Sequence, residues 1–336
     1  MKLSELGEFG LIDRISSIIS NSRHPEHNPW QQLLIGTGDD AAAWRADCSI
    51  QLATVDTLVE GTHFKSGATS WRELGWKAIA VNLSDIAAMG GIPGYALVSL
   101  ALPGSLDVDC VDELYEGMTQ IAGQFQTAIT GGNIAYSEKT VITVTILGNV
   151  NGNDVLTRSA ASPGDQIAVT GYLGLSAAGL RMLNHGLQFE AETSQLFRQA
   201  HLQPFPRVKE GQILLQQGVR AGIDISDGLI ADLGHICRAS KVGARVEGAL
   251  IPVHPAVKER FKDDYLQLAL AGGEDYELLF AAGHQAVVQV SQAIHCPVTV
   301  IGEITAGTPG QVTVVNPAGK VIPWQREGWD HFRSAS

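Results

Sequence analysis

The chain has 336 residues, 45% of them hydrophobic and 17% charged, and its 23 basic and 35 acidic side chains leave a net charge of −12. That length and apolar content predict about two domains with sizeable cores and argue against disorder. The acidic balance argues against nucleic acid or an anionic membrane as a main partner, and any polyphosphate bound here needs metal ions as well as Lys or Arg to neutralise it.

Residues 1–20 read as an amphipathic helix with acids in its first turn and no secretory h-region. No apolar run reaches the ~18 residues of a membrane span, so the expected compartment is the cytoplasm. A polar loop at 23–29 leads to two predicted strands, 31–35 and 50–55, each ending at an acid-bearing motif. The first is GTGDDAA, with Asp39 and Asp40; the second is ATVDTLVEGTHF, with Asp56 and His63. Each has a plainer reading, as a simple turn and as a solvated strand end.

Residues 70–89 read as a helix, because Trp71, Leu74, Ala78, Val81, Asp85 and Ala88 recur at spacings of three and four. Asp85 then falls on the apolar stripe, where an unpaired carboxylate is costly. Gly90, Gly91 and Pro93 end this helix. A strand at 95–102, a helix at 108–126 and a strand at 141–150 follow, with TGGNIA, which carries Gly132 and Asn133, read as a glycine turn.

The segment SAASPG, residues 159–164, looks like a junction between domains 1–150 and 151–336. Beyond it come a strand in DQIAVTG, a helix at 176–184, a bend at Pro204 and Pro206, a short strand at 221–225 and a helix at 227–240. In GIDISDGL either Ser226 or Asp227 could cap that helix, whereas Asp224 has no such local role. GGEDYELLFAA reads as a glycine turn entering a strand, and the rest as strand-rich, ending in GWDHF. Helices and strands mix without regular βαβ alternation, which favours a mixed α+β fold over a doubly wound sheet.

Cys48, Cys110, Cys237 and Cys296 are widely separated with no CxxC, so zinc and dithiol readings are weak. Phosphate-binding loops of the GxxxxGK[ST] kind, protein-kinase motifs and a strand-linked GxGxxG are all missing. What stands out is acids far apart in sequence at the ends of apolar elements. Such a set suits hard cations such as Mg²⁺, which takes oxygen ligands and bridges carboxylates to substrate phosphates.

Read in order, GEFGLI, GDDAA, DTLVEGTHF, KAIAVNLSDIAAMG, TGG, LTRS, GDQIAVTG, DISDGL, GGEDYEL and GWDHF closely resemble the thiamine-monophosphate kinase family of the aminoimidazole-ribonucleotide-synthetase superfamily, over essentially the whole chain. The resemblance implies two α/β domains with ATP in the cleft between them. It also implies a homodimer whose N-terminal sheets pair into a barrel, and transfer of phosphate from ATP to thiamine phosphate. It assigns Asp40, Asp56, Asp85, Asp224 and Asp227 to several Mg²⁺ ions, with Thr54 and Val55 supplying hydroxyl or carbonyl oxygens. Asn133 stands where many members carry Asp; an amide oxygen can still ligate Mg²⁺, with one charge fewer. Tyr115, Gly132, Asn133, Arg158 and Ser226 match ATP contacts, and His63, Glu274 and Trp329 match positions around the thiamine phosphate.

No activated nucleophile stands out, which favours direct transfer. Sibling enzymes fit less well. The selenide enzyme's relatives need a reactive Cys or selenocysteine beside a Lys near the N-terminus, and the hydrogenase-maturation sibling uses a C-terminal Cys, where this chain ends in FRSAS. An aminoimidazole synthetase is the sibling that chemistry alone separates least, though GTHF, GGEDYEL and GWDHF fit the thiamine kinase better, and a non-catalytic nucleotide or metal module is disfavoured by intact acids at every motif.

Overall fold

The computed structural model describes residues 33–35, 39–40, 42–46, 49–65 and 67–324. The expected N-terminal helix and the GWDHF segment with Trp329 lie outside the described residues. Two six-stranded mixed sheets, one per domain, make the frame.

The first domain runs β1 (Leu33–Ile35), β2 (Ala42–Ala46), β3 (Ser49–Val59), α1 (Trp71–Ala88), β4 (Ile92–Leu102), α2 (Val108–Gln124), β5 (Ala128–Tyr136) and β6 (Val141–Val150), with strand order β1-β2-β3-β6-β4-β5. Only β4 and β5 pair in parallel. Period-two alternation on β6 buries Ile142, Val144, Ile146 and Val150 on one face. The other face of the sheet leaves Val55, Tyr95 and Leu97 exposed, and edge strand β5 exposes Ile134 and Tyr136.

Helix α1 is the centre of the molecule. A complete capping box between Ser70 and Glu73 starts it. It contacts β3, β4, β6 and α2 of its own domain and elements of the second domain as well. Every residue from Leu74 to Ser84 is buried, so the helix has no single apolar stripe; it is enclosed on all sides. Its close approach to α2 depends on glycine. A Cβ at Gly75 would lie 1.9 Å from the Leu114 carbonyl oxygen, and one at Gly117 would lie 1.9 Å from that of Arg72.

The second domain runs β7 (Gln166–Thr170), α3 (Leu175–His185), α4 (Ala191–Leu202), α5 (Val208–Gln216), β8 (Ala221–Asp224), α6 (Leu229–Ser240), β9 (Gly243–Glu247), α7 (Pro255–Arg260), α8 (Tyr265–Ala271), β10 (Leu278–Ala282), α9 (His284–Ala293), β11 (Val298–Thr305) and β12 (Val312–Val315). Its strand order is β12-β9-β11-β7-β10-β8, with only β12 and β9 parallel. Both faces of this sheet are covered. On β10, Leu278, Phe280 and Ala282 join the core shared with the first domain, while Leu279 and Ala281 face a second core inside their own domain.

The structure departs from the sequence reading in several places. TGGNIA is part of strand β5 rather than a turn. Asp56 does not end its strand, because β3 continues to Val59. Strands β2 and β9 and helices α4, α5, α7, α8 and α9 are additions to the expected elements, and the C-terminal part is less strand-rich than its composition suggests. Helix α6 begins at Leu229, with Gly228 at its N-cap.

Candidate active site

The acids meet where α1 crosses from the first sheet to the second. Strand register decides which side chains arrive. Thr54 and Asp56 on β3 lie opposite Ile146 and Val144 of β6, both buried, so both point toward α1. Val55 between them points to the outer face and is exposed, leaving only its carbonyl available for the ligand role. Asp85, near the end of α1, accepts a hydrogen bond from Thr54 Oγ1. Ser84, its neighbour, donates to Asp224 Oδ2 at 2.6 Å.

Asp40 comes from the motif before β2 and is held by Arg158, whose Nη2 donates to Asp40 Oδ1. The Arg158 backbone N–H donates to Asp39 Oδ1 at 2.9 Å. Thus the segment joining the two domains docks on the GDD motif instead of acting as a free linker. Ligating oxygens of Asp40, Asp85 and Asp224 all lie within 4.8 Å of one another.

Such a cluster repels itself. Burial, then Asp56, Asp224 and Asp40, push the Asp85 carboxyl well above the usual range. Burial and then Asp40 push Asp224 up to about 8, and burial and then Asp40 push Asp39 to about 6. Asp40 Oδ2 is buried with no hydrogen-bond partner among the described residues. Oxygen-only donors, mutual repulsion and an orphaned carboxylate oxygen are what a hard divalent cation satisfies. The residues present therefore fit Mg²⁺.

Asp227 lies in a different group. Its ligating atoms, with those of Asp232 and His235, lie within 4.8 Å of one another. Asp232 also corrects the capping expectation. Its Oδ2 accepts the backbone N–H groups of Ser226 (3.1 Å), Asp227 (3.2 Å) and Gly228 (3.0 Å), so neither Ser226 nor Asp227 caps α6 by its own side chain. Sequence reasoning missed Asp232, since an acid in the first turn of a helix usually answers only to the helix dipole.

A third group assembles around Glu274. Its backbone is left-handed (φ 66°), as is that of Tyr276 (φ 51°), and two such non-glycine residues in one turn are a mark of strained functional loops. Lys77 Nζ lies 2.6 Å from Glu274 Oε1, and His201 Nδ1 lies 3.3 Å from Oε2. Burial, then Lys77, push His201 down to about 4, so its ring is neutral at pH 7. His63 acts electrostatically on Glu274, and the Val59 N–H donates to its Nδ1 at 2.9 Å. That bond puts the ring proton on Nε2. Asp275 accepts the N–H groups of Gly174 (2.7 Å) and Ser176 (3.1 Å), which pins this turn to the start of α3.

Three predicted positions, Gly132, Asn133 and Tyr115, are not brought to these groups within one copy of the chain. Asn133 pairs with Ser99, which pairs with Thr143, which pairs with Thr57, a row on the outer face. Gly132 and Asn133 there line a shallow cavity of about 310 Å³ with Leu97, Val98, Ser99, Thr143 and Thr145. A Cβ at Gly132 would fall 1.7 Å from the Val98 carbonyl oxygen, so only glycine fits at position 132. Tyr115, on α2, is partly buried against the first core.

Comparison with known proteins identifies the family and the fold. Residues 38–150 match the AIR synthase related protein N-terminal domain, and residues 162–315 match its C-terminal domain. A thiamine-monophosphate kinase of Bacillus subtilis (strain 168) is 36% identical over 335 residues, covering 98% of this chain and 100% of that protein. Its counterpart in Escherichia coli (strain K12) is 36% identical over 332 residues, covering 97% and 98%. Among solved structures, AaThiL complexed with AMPPCP and TMP superposes with a TM-score of 0.84 at 33% identity, covering 98% of this chain and 99% of that one. The thiamine-monophosphate kinase of Stenotrophomonas maltophilia K279a does so with a TM-score of 0.74 at 34% identity, covering 93% and 96%. The chain belongs to the AIR synthase related superfamily and, within it, to the thiamine-monophosphate kinase family.

Proposed function

We infer that this chain transfers the terminal phosphoryl group of ATP to thiamine monophosphate, giving ADP and thiamine diphosphate, in the cleft between its two domains. The observation that carries the reading is the meeting of Asp40, Asp85 and Asp224 from three distant motifs, one oxygen of them orphaned, beside the Glu274 group.

Asp40, Asp56, Asp85 and Asp224 would hold Mg²⁺, with Thr54 and the Val55 carbonyl beside them and Asp227 on a further ion. Bound there, Mg²⁺ neutralises the repulsion between two anionic phosphates and aligns them. Arg158, anchored on Asp40, would offer its guanidinium charge to the ATP phosphates, and Ser226 would contact ATP from the turn before α6. Glu274 and His63 would contact the acceptor, and the family resemblance assigns Trp329, outside the described residues, to its thiamine portion. No general base is required, because a phosphate acceptor oxygen is already ionised near neutral pH. No side chain is needed as a covalent carrier, so transfer is direct and in line, with inversion at phosphorus.

The second chain of a homodimer would cover the outer face of the first sheet, where Val55, Tyr95 and Leu97 are exposed. Gly132 and Asn133 lie on that face, so any contact they make with nucleotide or metal is completed at that interface. In this division residues 1–150 bind ATP and Mg²⁺ and dimerise, and residues 151–336 complete the cleft. The test is product analysis with ATP, Mg²⁺ and thiamine phosphate. Equal amounts of ADP and thiamine diphosphate are expected; ATP consumption without thiamine diphosphate would reject the reading.

A further inference from the structure

Lys77 is a buried cation that belongs to neither the metal cluster nor the nucleotide contacts. It sits in the middle of α1, buried among Leu74, Ala78, Val81 and their neighbours. Its ammonium makes the ion pair with Glu274 and no geometrically regular hydrogen bond among the described residues. A lysine in a helix enclosed on all sides is an expensive choice. Replacing a buried ion pair by packed apolar groups is often neutral or stabilising, so stability does not account for this one.

The partner it reaches is in the other domain. Glu274 leads a turn held by its N–H to the Ser226 carbonyl at 2.8 Å, and its side chain stays about one-third exposed. Lys77 is the only Lys or Arg within ion-pair distance of it among the described residues. Burial pushes the Glu274 carboxyl up, yet Lys77, followed by His201, brings it below the usual glutamate range, so it is ionised. Lys77 is also tied by the helix to the metal end of the cleft. Ser84 and Asp85 follow it by seven and eight residues, about two turns or ~12 Å along one rigid element. One helix thus sets both the cation cluster and the carboxylate at the acceptor end.

We propose that Lys77 is a positioning residue for the acceptor: its ammonium fixes the Glu274 carboxylate so that the exposed edge meets the cationic, amino-bearing portion of thiamine phosphate. This rests on the reading of the reaction given above. Lys77 acts on acceptor affinity through Glu274 and leaves the nucleotide end alone.

The test is a double-mutant cycle with Lys77→Met and Glu274→Gln, reading KM for thiamine phosphate, KM for ATP and thermal stability. Each single change is expected to raise KM for thiamine phosphate about tenfold, as loss of one charge-assisted contact does. KM for ATP should stay within about twofold, and the double variant should be no worse than either single one. A double variant whose KM is the product of the two single effects would overturn the proposal, as would equal rises in both KM values. Should Lys77→Met alone fold poorly, the double variant removes both charges together and is compared with Glu274→Gln. An equal KM supports the coupling and a further rise overturns it. Wild-type ADP release that does not depend on thiamine phosphate would instead strike the reading of the reaction. Thiamine-phosphate-dependent release with an unaltered Lys77→Met variant strikes Lys77 alone.

Discussion

Ser84 Oγ donates to Asp224 Oδ2 at 2.6 Å, a bond between a helix of the first domain and the last residue of a strand in the second. It holds the Asp224 carboxylate, an oxygen of which lies within 4.8 Å of carboxylate oxygens of Asp40 and Asp85. Ser84→Ala is therefore expected to raise the Mg²⁺ concentration needed for half-maximal turnover by about tenfold, the usual effect of losing a group that orients a metal ligand. It should also lower stability by about 1–3 kcal/mol, because Asp224 is left without a buried donor. Mg²⁺ titrations of activity and denaturant melts check both.

The acid cluster opposes folding when no cation is bound. Burial and Asp40 hold Asp224 at about 8, so its ionised form at neutral pH is disfavoured in the fold. Asp224→Asn should raise the melting temperature in the presence of a chelator. In the wild type, Mg²⁺ should raise the melting temperature by binding the native state alone, and the variant should lose most of that increment. Differential scanning calorimetry with and without Mg²⁺ reads the two effects separately.

His201 supplies a pH dependence of known sign. Its folded value of about 4 lies below the ordinary 6.5, chiefly through burial and then Lys77. The unfolded chain therefore binds the proton first as pH falls, and stability present above pH 6.5 is lost between about 6.5 and 4. The full loss is on the order of 3 kcal/mol. His201→Gln should flatten that limb of the stability curve. A limb unchanged in the variant would assign the acid loss to another group.

The outer face of the first sheet makes a prediction about assembly. Leu97 and Tyr95 are exposed apolar residues on it, and a dimer covering this face buries both. On the proposed dimer, the wild type should sediment as two copies and Leu97→Asp should shift it toward monomer in sedimentation equilibrium, with little change in secondary structure. A dimer as tight as the wild type's would place the interface elsewhere.

The aspartate cluster is legible in the sequence because an aspartate in an apolar setting is costly unless a cation or hydrogen-bond donors hold it. Asp85 in AVNLSDIAAMGG and Asp224 in GIDISDGL stand out on that ground, and the structure brings them together with Asp40. The acceptor end is less legible. A lysine in a helix usually lies along the surface with its charge in water, and nothing local to Lys77 says that its partner is Glu274. Strand β5 is hidden because Gly131, Gly132 and Asn133 have turn chemistry and the strand is exposed along nearly all its length, so no alternation marks it. Asp232 is hidden inside a helix whose start the sequence places at Asp227. Helix α1 misleads in another way, since its spacing of three and four suggests one buried stripe where contacts on every side enclose it.

The most direct test of the account is turnover of Asp85→Asn with ATP, thiamine phosphate and saturating Mg²⁺. Asp85 stands at the centre of the cluster, with Asp56, Asp224 and Asp40 all acting on it. The account predicts a fall of at least about tenfold, roughly 1.4 kcal/mol in the barrier, with a circular dichroism spectrum like the wild type's. Turnover near the wild-type rate in a folded Asp85→Asn chain would contradict it.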